Sequence, residues 1–223
     1  MDNKKEIIEK RYADFIPGDS ERIKKIIELT GTGEKILDIG CGVGIIGEKI
    51  KAKGNIVYGI DFSKGAVKNA REKGIIAKVA NIEKEIPFKN NFFDGIVLGE
   101  ILEHIFDTDR FLQNVRKKLK NNGYIIITTP NLATFGRRLL LLFGKNPHIE
   151  YYFREDSAGH IRYFVKDTLF KLLFDNGFRV EKYTSDEVNF NAKGTIKSKL
   201  LCKVFPGLGR TIIVKARKIF KEK

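Results

Sequence analysis

The chain has 223 residues, with 42 Lys and Arg against 28 Asp and Glu, which gives a net charge of +14. Its hydrophobic content of 42% is enough for one substantial core, and no apolar run reaches the roughly 20 residues that a membrane-crossing helix needs. The charged start lacks the apolar segment of a secretory signal, so we expect a cytoplasmic protein. Its two cysteines match neither a disulfide framework nor a Cys-x-x-Cys metal site, and no metal site is predicted.

The N-terminal part of the chain, residues 1–34, is predicted to be helical. Ile23, Ile26 and Ile27 recur there at helical spacing ahead of Gly31. An apolar stripe of this kind predicts that the segment packs on the core.

Short apolar strands then alternate with helical segments. Strands are predicted at 35–39, 55–60, 75–80, 93–98, 124–129, 177–184 and 211–217. Helices are predicted at 43–53, 63–73, 108–120 and 165–176. Because each parallel strand pair needs a crossover connection, this alternation predicts an α/β fold with a doubly wound parallel sheet between two helical layers.

One long connection, residues 130–162, interrupts this rhythm. Pro130 ends a buried strand, and the segment that follows is too long for an ordinary loop. It comes after the carboxyl end of a parallel strand, where open α/β sheets bind their ligands, so we expect a lid over a substrate. The chain is therefore interpreted as a single domain, residues 1–223, with a basic C-terminal tail at 192–223.

A glycine-rich turn, KILDIGCGVG, gives the sharpest local signal. Gly40 and Gly42 permit a tight turn and a close approach of the backbone to a ligand, and Asp38 adds a carboxylate. Asp61 ends the next strand, where a carboxylate accepts hydrogen bonds from both hydroxyls of a ribose. This pattern indicates an adenosine-containing ligand. The glycines alone also fit the dinucleotide fingerprint GxGxxG, which leaves a nicotinamide-dependent oxidoreductase open.

Four segments in order extend this pattern: ILDIGCGVG, YGIDFS, ANIEKEIPF, and FDGIVLGEILEHI followed by LKNNGYIIITTPN. Together they resemble the class I S-adenosylmethionine-dependent methyltransferases, and most of all the branch with the ubiquinone and menaquinone biosynthesis enzymes and related small-molecule methyltransferases. The resemblance implies a Rossmann-like, seven-stranded sheet of order 3-2-1-4-5-7-6 with strand 7 antiparallel. It also implies S-adenosylmethionine as the cofactor. The alternative is a doubly wound domain that binds another nucleotide.

The resemblance further implies which residues contact the cofactor. They are Asp38, Gly40, Cys41, Gly42, Asp61, Phe62, Asn81, Ile82, Gly99 and Glu100. By this correspondence Gly40, Cys41 and Gly42 line the methionine part, Asp61 holds the ribose and Phe62 flanks the adenine. Asn81 stands where relatives often carry Asp, but its amide oxygen can still accept a hydrogen bond from the adenine amine.

The chemistry places few demands on the protein. Methyl transfer from a sulfonium is an in-line displacement, so alignment and exclusion of water come first, and a base serves only an acceptor that must lose a proton. His160 in GHIRYF is the predicted catalytic base, with Arg162 or Tyr163 positioning an anionic or hydroxylated acceptor. Hydrogen bonds that stabilise the lid are the alternative role for His160, and catalysis by proximity alone is a third interpretation.

A small-molecule acceptor, such as a lipid or quinone precursor, is the predicted partner. The chain has LGEILEH where enzymes that methylate exocyclic amines of bases typically have [DN]PP[YF], which makes nucleic acid a less favoured partner. An apolar run at 139–143 with basic flanks predicts an apolar lid that can also contact a membrane surface, although burial in the core or in a dimer explains it too. The alternatives are an RNA or protein methyltransferase, or a module that binds the cofactor without turnover.

Overall fold

The computed structural model describes residues 21–151, 157–190 and 197–219. Its helices are α1 (Glu21–Leu29), α2 (Ile45–Ala52), α3 (Lys64–Glu72), α4 (Thr108–Lys118), α5 (Phe135–Leu142), α6 (Lys166–Asp175) and α7 (Lys199–Val204). Its strands are β1 (Lys35–Ile39), β2 (Ile56–Asp61), β3 (Ile76–Val79), β4 (Phe93–Gly99), β5 (Leu119–Pro130), β6 (Phe178–Thr184), β7 (Val188–Asn189), β8 (Lys197–Ser198) and β9 (Thr211–Lys218). Two 3-10 turns lie at Leu102–His104 and Pro206–Leu208.

Seven of these strands form one sheet in the order β3-β2-β1-β4-β5-β9-β6. Strands β1 to β5 pair in parallel, whereas β9 runs antiparallel to both β5 and β6. The predicted order 3-2-1-4-5-7-6 with an antiparallel last strand is confirmed, β9 being the seventh strand of this sheet. A separate ladder of β7 and β8 lies in the stretch between β6 and β9.

The sheet is buried on both faces, which explains why its strands are almost continuously apolar. Successive side chains of a strand point to opposite faces, so Ile36 joins one apolar layer while Leu37 joins the other. Val97 belongs to the layer of Ile36, and Ile96 belongs to the layer of Leu37. The carboxyl ends of the parallel strands therefore form one rigid edge on which a site can be built.

Most predicted elements lie within a residue or two of the observed ones, but the predicted helix 108–120 ends too late. Leu119 is fully buried and pairs with Phe93, so the chain enters β5 directly after Lys118. The predicted strand 124–129 is correspondingly longer than expected and begins at Leu119. Pairing in the sheet and burial of the leucine outweigh the helical tendency of this basic segment.

The two ends of the chain contribute differently to the fold. Helix α1 lies within the predicted helical segment 1–34 and buries Ile23 and Ile26, while residues 1–20 lie outside the described residues. In the predicted basic tail, Lys215 donates to the carbonyl of Leu29 and Lys218 donates to that of Leu119. Part of the tail's positive charge is therefore bound within the fold. Among the described residues, no helix is long and apolar enough to cross a membrane.

Candidate active site

The glycine turn after β1 is held to β2 by main-chain hydrogen bonds. The amides of Gly40 and Cys41 both donate to the carbonyl of Ile60, at 2.8 and 3.0 Å. The amide of Gly42 donates to Oδ2 of Asp61 at 2.9 Å. Gly40 and Gly42 have φ angles of 74° and 49°, which L side chains rarely adopt. Apart from Gly42 itself and its two chain neighbours, the described residues place no atom within 4 Å of the position that a Cβ on Gly42 would take, so the backbone is open to a ligand there.

Asp38 is the penultimate residue of the apolar strand β1, two positions before Gly40. Its side chain is buried, and its Oδ2 atom has no hydrogen-bond partner among the described residues. Burial raises the pKa of Asp38 to about 7, and the neighbouring charge of Asp61 adds to the shift. A buried carboxylate oxygen without a donor is costly, so this atom is suited to a ligand's ammonium group.

Asp61 is oriented by the backbone around it. Its Oδ1 atom accepts from the amide of Ser63 at 2.9 Å, and its Oδ2 atom accepts from Gly42. Burial raises its pKa, while the donors on Ser63, Gly42 and Phe62 oppose that shift. The carboxylate retains lone pairs for the two hydroxyls of a ribose. Phe62 follows it with about half of its surface exposed (47%) at the end of β2.

Cys41 and Asn81, two of the predicted cofactor residues, have structural roles that the sequence did not reveal. The Cys41 side chain packs into the core against Gly59 and Ile75, so only its main chain borders the turn, and burial raises the pKa of its thiol. Asn81 accepts a hydrogen bond at Oδ1 from the amide of Glu83, at 3.0 Å, which caps a local turn. The amide oxygen predicted to receive the adenine amine is therefore shared with this internal bond.

The predicted residues of the third and fourth segments lie at different depths. Ile82 is half-buried against the larger core cluster, and Gly99 ends β4. Glu100 has a φ of 58°, its amide donates to Thr128, and its Oε1 atom is buried with no partner among the described residues. Burial raises the pKa of Glu100, and the nearby charge of Arg22 lowers it.

Arg22 of α1 is a further candidate site residue, which the sequence pattern did not indicate. Its Nη1 atom donates to Oγ1 of Thr128 at 3.2 Å and lies beside Gly99. Its charge also lowers the pKa of Asp38, although burial dominates there. Because Arg22 forms no ion pair among the described residues, its guanidinium is available to an anionic group.

A second group of side chains lies on the neighbouring 3-10 turn and on the returning end of the insertion. The ligand atoms of Glu103, His104 and His160 all lie within 4.8 Å of one another. The two imidazole rings have centroids 4.9 Å apart, and Nδ1 of His104 lies 3.2 Å from the carbonyl oxygen of Gly159. Oε2 of Glu103 accepts from Thr129 at 3.0 Å, whereas its Oε1 is buried without a partner among the described residues.

The electrostatics of this cluster favour uncharged groups. Burial, reinforced by the charge of Glu100, raises the pKa of Glu103 to about 8. Burial also lowers the pKa of His160, and the charges of His104 and Arg137 lower it further while Glu150 opposes them. At pH 7 His160 is therefore neutral and able to accept a proton. The same donor atoms are also of the types that bind a divalent cation.

The segment that carries His160 is held by polar contacts. The Glu150 carboxylate accepts from the amides of Ala158, Gly159 and His160, at 2.8, 2.9 and 3.2 Å. Tyr163, predicted to position the acceptor, accepts from the Glu150 amide through its hydroxyl at 2.7 Å.

The other predicted positioning residue, Arg162, donates from Nε to the carbonyl of Ile105 at 2.9 Å and from Nη2 to that of Phe106. Its guanidinium thus anchors the segment to the loop after the 3-10 turn. Arg137, at the first turn of α5, is the cation whose charge reaches His160. It is half-buried, its Nη1 donates to the carbonyl of Asn131 at 3.0 Å, and it pairs with no carboxylate among the described residues. The sequence analysis missed Arg137 as a site residue.

The fold and the cofactor-side geometry together define the class of the protein. A seven-stranded sheet with an antiparallel last strand, a glycine turn after β1 and a carboxylate at the end of β2 are the features of class I S-adenosylmethionine-dependent methyltransferases. The residues fit that cofactor, because Asp38 has an unsatisfied buried oxygen and Gly42 leaves open space beside it.

Comparison with known proteins agrees with this class. The chain belongs to the family described as "Methyltransferase domain", which matches residues 9–183. It is 30% identical over 158 residues to the mitochondrial ubiquinone biosynthesis O-methyltransferase of Homo sapiens, a match that covers 67% of this chain and 42% of the human protein. It is 33% identical over 123 residues to the ubiquinone biosynthesis O-methyltransferase of Histophilus somni, covering 51% of each chain. The chain thus spans about half the length of these two curated relatives.

Solved structures show the same architecture. A methyltransferase of Thermotoga maritima, titled as a possible histamine N-methyltransferase, superposes with a TM-score of 0.65 at 19% identity. The superposition covers 89% of this chain and 88% of that chain. At this identity the likeness concerns the fold. The cofactor of the class, S-adenosylmethionine, is therefore the cofactor of this domain.

Proposed function

We propose that this chain methylates an oxygen atom of a small, lipid-like acceptor related to quinone precursors. S-adenosylmethionine, when bound, supplies a methyl group on a positively charged sulfur. The protein then has to hold the two reactants in line, keep water out and remove one proton from the acceptor. The relatives named as ubiquinone biosynthesis O-methyltransferases support this type of acceptor.

The cofactor side of the site supplies binding groups of both signs. In this proposal Asp38 accepts from the ammonium of the methionine part, and Arg22 donates to its carboxylate. Asp61 accepts from the ribose hydroxyls, and Phe62 flanks the adenine. Glycine at positions 40 and 42 lets the turn approach the ligand.

His160 is the proposed catalytic base. Its neutral imidazole takes the proton of a phenol-type or enol-type hydroxyl, and Glu103 and His104 lie close enough to take part in moving that proton. The half-buried Arg137, with no carboxylate partner among the described residues, stabilises the oxyanion that forms or an anionic group of the acceptor. The observation that carries the proposal is this combination of a neutral histidine and an unpaired guanidinium.

The insertion is the proposed lid. Residues 130–162 leave the sheet at its carboxyl edge, and their returning end brings His160 beside the 3-10 turn. The amides of Ile161 and Arg162 donate to the carbonyl of Glu103, which ties the lid to that edge. A lid that is tied down at its returning end and exposed at residues 141–146 suits an acceptor that enters from an apolar environment.

A labelling experiment tests the proposal. The protein is incubated with S-adenosylmethionine labelled in its methyl group and with extract of its source cells, and label is measured in organic, aqueous small-molecule, protein and RNA fractions. The expected result is label in the organic fraction, formed at least about 100-fold more slowly by the variant His160→Ala. The control variant His148→Ala, which changes an exposed histidine of the insertion, should form the label at the parent rate.

Other outcomes identify the alternatives. Label in RNA or protein means that a macromolecule is the acceptor, and cofactor binding without any label means a binding module. Activity with His160→Ala equal to that of the parent protein contradicts the base. Activity that is lost with EDTA and restored by Mg²⁺ assigns the Glu103, His104 and His160 cluster to a cation instead of a proton.

A further inference from the structure

Two neighbouring helices expose apolar side chains that the fold does not use. None of the eight residues of α5 is buried. The side chains concerned are more than half exposed, and they are Leu141, Leu142 and Phe143 at the end of α5 with Leu200, Val204 and Phe205 in and after α7. These six residues are called the α5–α7 surface here. Exposed large apolar groups concentrated in two adjacent elements indicate a binding surface.

Both helices contact the short strand β7. At the start of α5, the rings of Phe135 and Phe190 have centroids 5.4 Å apart. Ser198 pairs with Val188 in β7 and caps the start of α7 with its hydroxyl. Leu141 of α5 and Gly207, which lies in the 3-10 turn after α7, line one cavity of about 420 Å³. The two groups of apolar side chains are therefore carried by elements that share a neighbour in β7 and border a common cavity.

The two segments that carry the α5–α7 surface are basic. Residues 135–147 contain three cations and no acidic residue, and residues 197–210 contain four cations and no acidic residue. Arg138, Lys145 and Lys203 form no ion pair among the described residues, whereas Lys197 and Lys199 pair with Glu187 and Glu21. Apolar side chains bordered by unpaired lysine and arginine are typical of helices that lie in the interface of an anionic bilayer.

We propose that the α5–α7 surface docks on an anionic lipid bilayer. The leucine and phenylalanine side chains enter the interface, and Arg138, Lys145 and Lys203 contact the lipid phosphates. The purpose of this contact rests on the proposed lipid-like acceptor, because Arg137 at the other end of α5 acts on His160. Docking then places the lid where a lipid leaves the membrane.

The positive charge of the α5–α7 surface indicates which partner binds there. A second copy of this chain, with a net charge of +14, brings further positive charge to a basic surface, which opposes association. An anionic bilayer has an apolar interior for the leucine and phenylalanine side chains and negatively charged headgroups for the lysine and arginine side chains. The attraction is therefore expected to weaken as salt screens the charges.

Vesicle cosedimentation of the full chain tests the proposal without turnover. Vesicles of phosphatidylcholine with phosphatidylglycerol are compared with vesicles of phosphatidylcholine alone. Binding is expected on the anionic vesicles and about tenfold or more weaker on the neutral ones. The pair Leu142→Glu with Phe143→Glu, and separately the pair Lys145→Glu with Lys203→Glu, are each expected to weaken binding about tenfold or more. All four side chains are exposed, and circular dichroism checks that the variants fold.

The matched control is Phe174→Glu. Phe174 is 65% exposed near the end of α6, away from the α5–α7 surface, so binding is expected to stay within about twofold of the parent. The proposal is overturned by absent binding, by equal binding to both vesicle types, or by equal losses in the control. It is also overturned if light scattering shows a dimer that the Leu142 and Phe143 changes dissociate while vesicle binding persists.

The labelling and vesicle experiments distinguish failure of the proposed acceptor from failure of the proposed docking surface. Vesicle binding together with label in the aqueous or RNA fraction contradicts the lipid-like acceptor and leaves the surface intact. Label in the organic fraction without vesicle binding contradicts the surface and leaves the acceptor intact.

Discussion

The two halves of the site are built in different ways. On the cofactor side, Asp38 belongs to β1, Asp61 to β2 and Gly42 to the turn between β1 and α2. Hydrogen bonds donated by main-chain amides hold this turn and the Asp61 carboxylate in place. On the acceptor side, His160 is held through the Glu150 carboxylate and ring contacts, and the adjoining α5 buries no residue. The cofactor side is thus part of the core, whereas the acceptor side is attached to it by a small number of polar contacts.

This difference matches the separate tasks of the two halves. A cofactor common to a family needs one preformed geometry, which buried strands and backbone donors supply. An acceptor that differs between relatives needs a region that can change without disturbing the core, and surface insertions tolerate such change. Changes on the two sides should therefore have separable effects on catalysis, cofactor affinity and stability.

The largest effect is expected from His160→Ala. Loss of the proposed base lowers kcat by about 10²- to 10⁴-fold, because a positioned base contributes that much to proton transfer. Cofactor affinity, measured by calorimetry, should stay unchanged because the cofactor residues lie on other elements. Exposed His148→Ala serves as the control and should retain full activity. A parallel loss of cofactor affinity in His160→Ala would show that the two halves are not independent.

Asp61→Ala should act on the opposite half. Loss of a carboxylate that accepts from a ligand costs about 1.5 to 3 kcal/mol per charged hydrogen bond, which corresponds to a rise in cofactor Kd of roughly 10- to 100-fold. The amides of Gly42 and Ser63 lose their acceptor as well, so thermal unfolding should also shift to lower temperature. Exposed Glu72→Ala is the matched change in α3 and should leave both measurements unaltered. An unaltered Kd in Asp61→Ala would remove this residue from the cofactor site.

Cofactor affinity should depend on pH through Asp38. Burial raises the pKa of Asp38 to about 7, and only the deprotonated carboxylate attracts an ammonium group. Affinity is therefore expected to rise as the pH increases from 6 to 8, by up to about tenfold per pH unit below the pKa.

The free protein should show the opposite trend in stability. A raised folded-state pKa favours the protonated form, so stability is lost as the pH rises from about 4 to about 7. In Asp38→Asn, whose amide does not titrate, calorimetric binding should lack the trend in affinity. Denaturant unfolding of this variant should lose less stability with rising pH than the parent, because the raised pKa values of Asp61, Glu100 and Glu103 still contribute. An affinity trend that persists, or a loss of stability equal to that of the parent, would assign the effect to another group.

The smallest effect is expected from Arg137→Met on the pH profile of kcat/KM. The charge of Arg137 contributes to the lowered pKa of His160, so its removal should raise that pKa and shift the acidic limb of the profile upward by less than about one pH unit. Activity requires the neutral imidazole and falls as the pH drops through this pKa. Arg137→Lys keeps the charge and should leave the limb in place. A downward shift in Arg137→Met would contradict the arrangement.

The cofactor half was largely predictable from the sequence because its signals are local. The glycine turn follows β1 directly, and Asp61 is the last residue of the next strand, so the register of neighbouring parallel strands brings them together. The duties of Cys41 and Asn81 were not predictable, since neighbouring backbone and core atoms use their side chains. Arg22 escaped notice because helical periodicity reveals which residues are buried but not which strand end the exposed face approaches.

The acceptor half could be predicted only in outline. The length of the connection after Pro130 indicated an insertion, and GHIRYF drew attention to His160, but Arg162 and Tyr163 turned out to anchor the segment. Arg137 lies 23 residues before His160 in the chain, and no periodic pattern links them. The sequence left open whether the apolar run at 139–143 is exposed or buried, because such a run fits a surface helix as well as a buried one.

The sequence by itself determined the alternation of strands and helices, the glycine turn of the candidate cofactor site and the two carboxylates beside it, because each depends on residues close together in the chain. Tertiary structure alone decided that His104 lies beside His160, 56 positions later in the chain, and that a carboxylate oxygen of Glu103 lies within 4.8 Å of a ring nitrogen of each. It also decided that Arg22 and Arg137 reach the site without a carboxylate partner among the described residues. Such encounters depend on how helices and insertions pack over the sheet edge, and packing is a property of the folded chain.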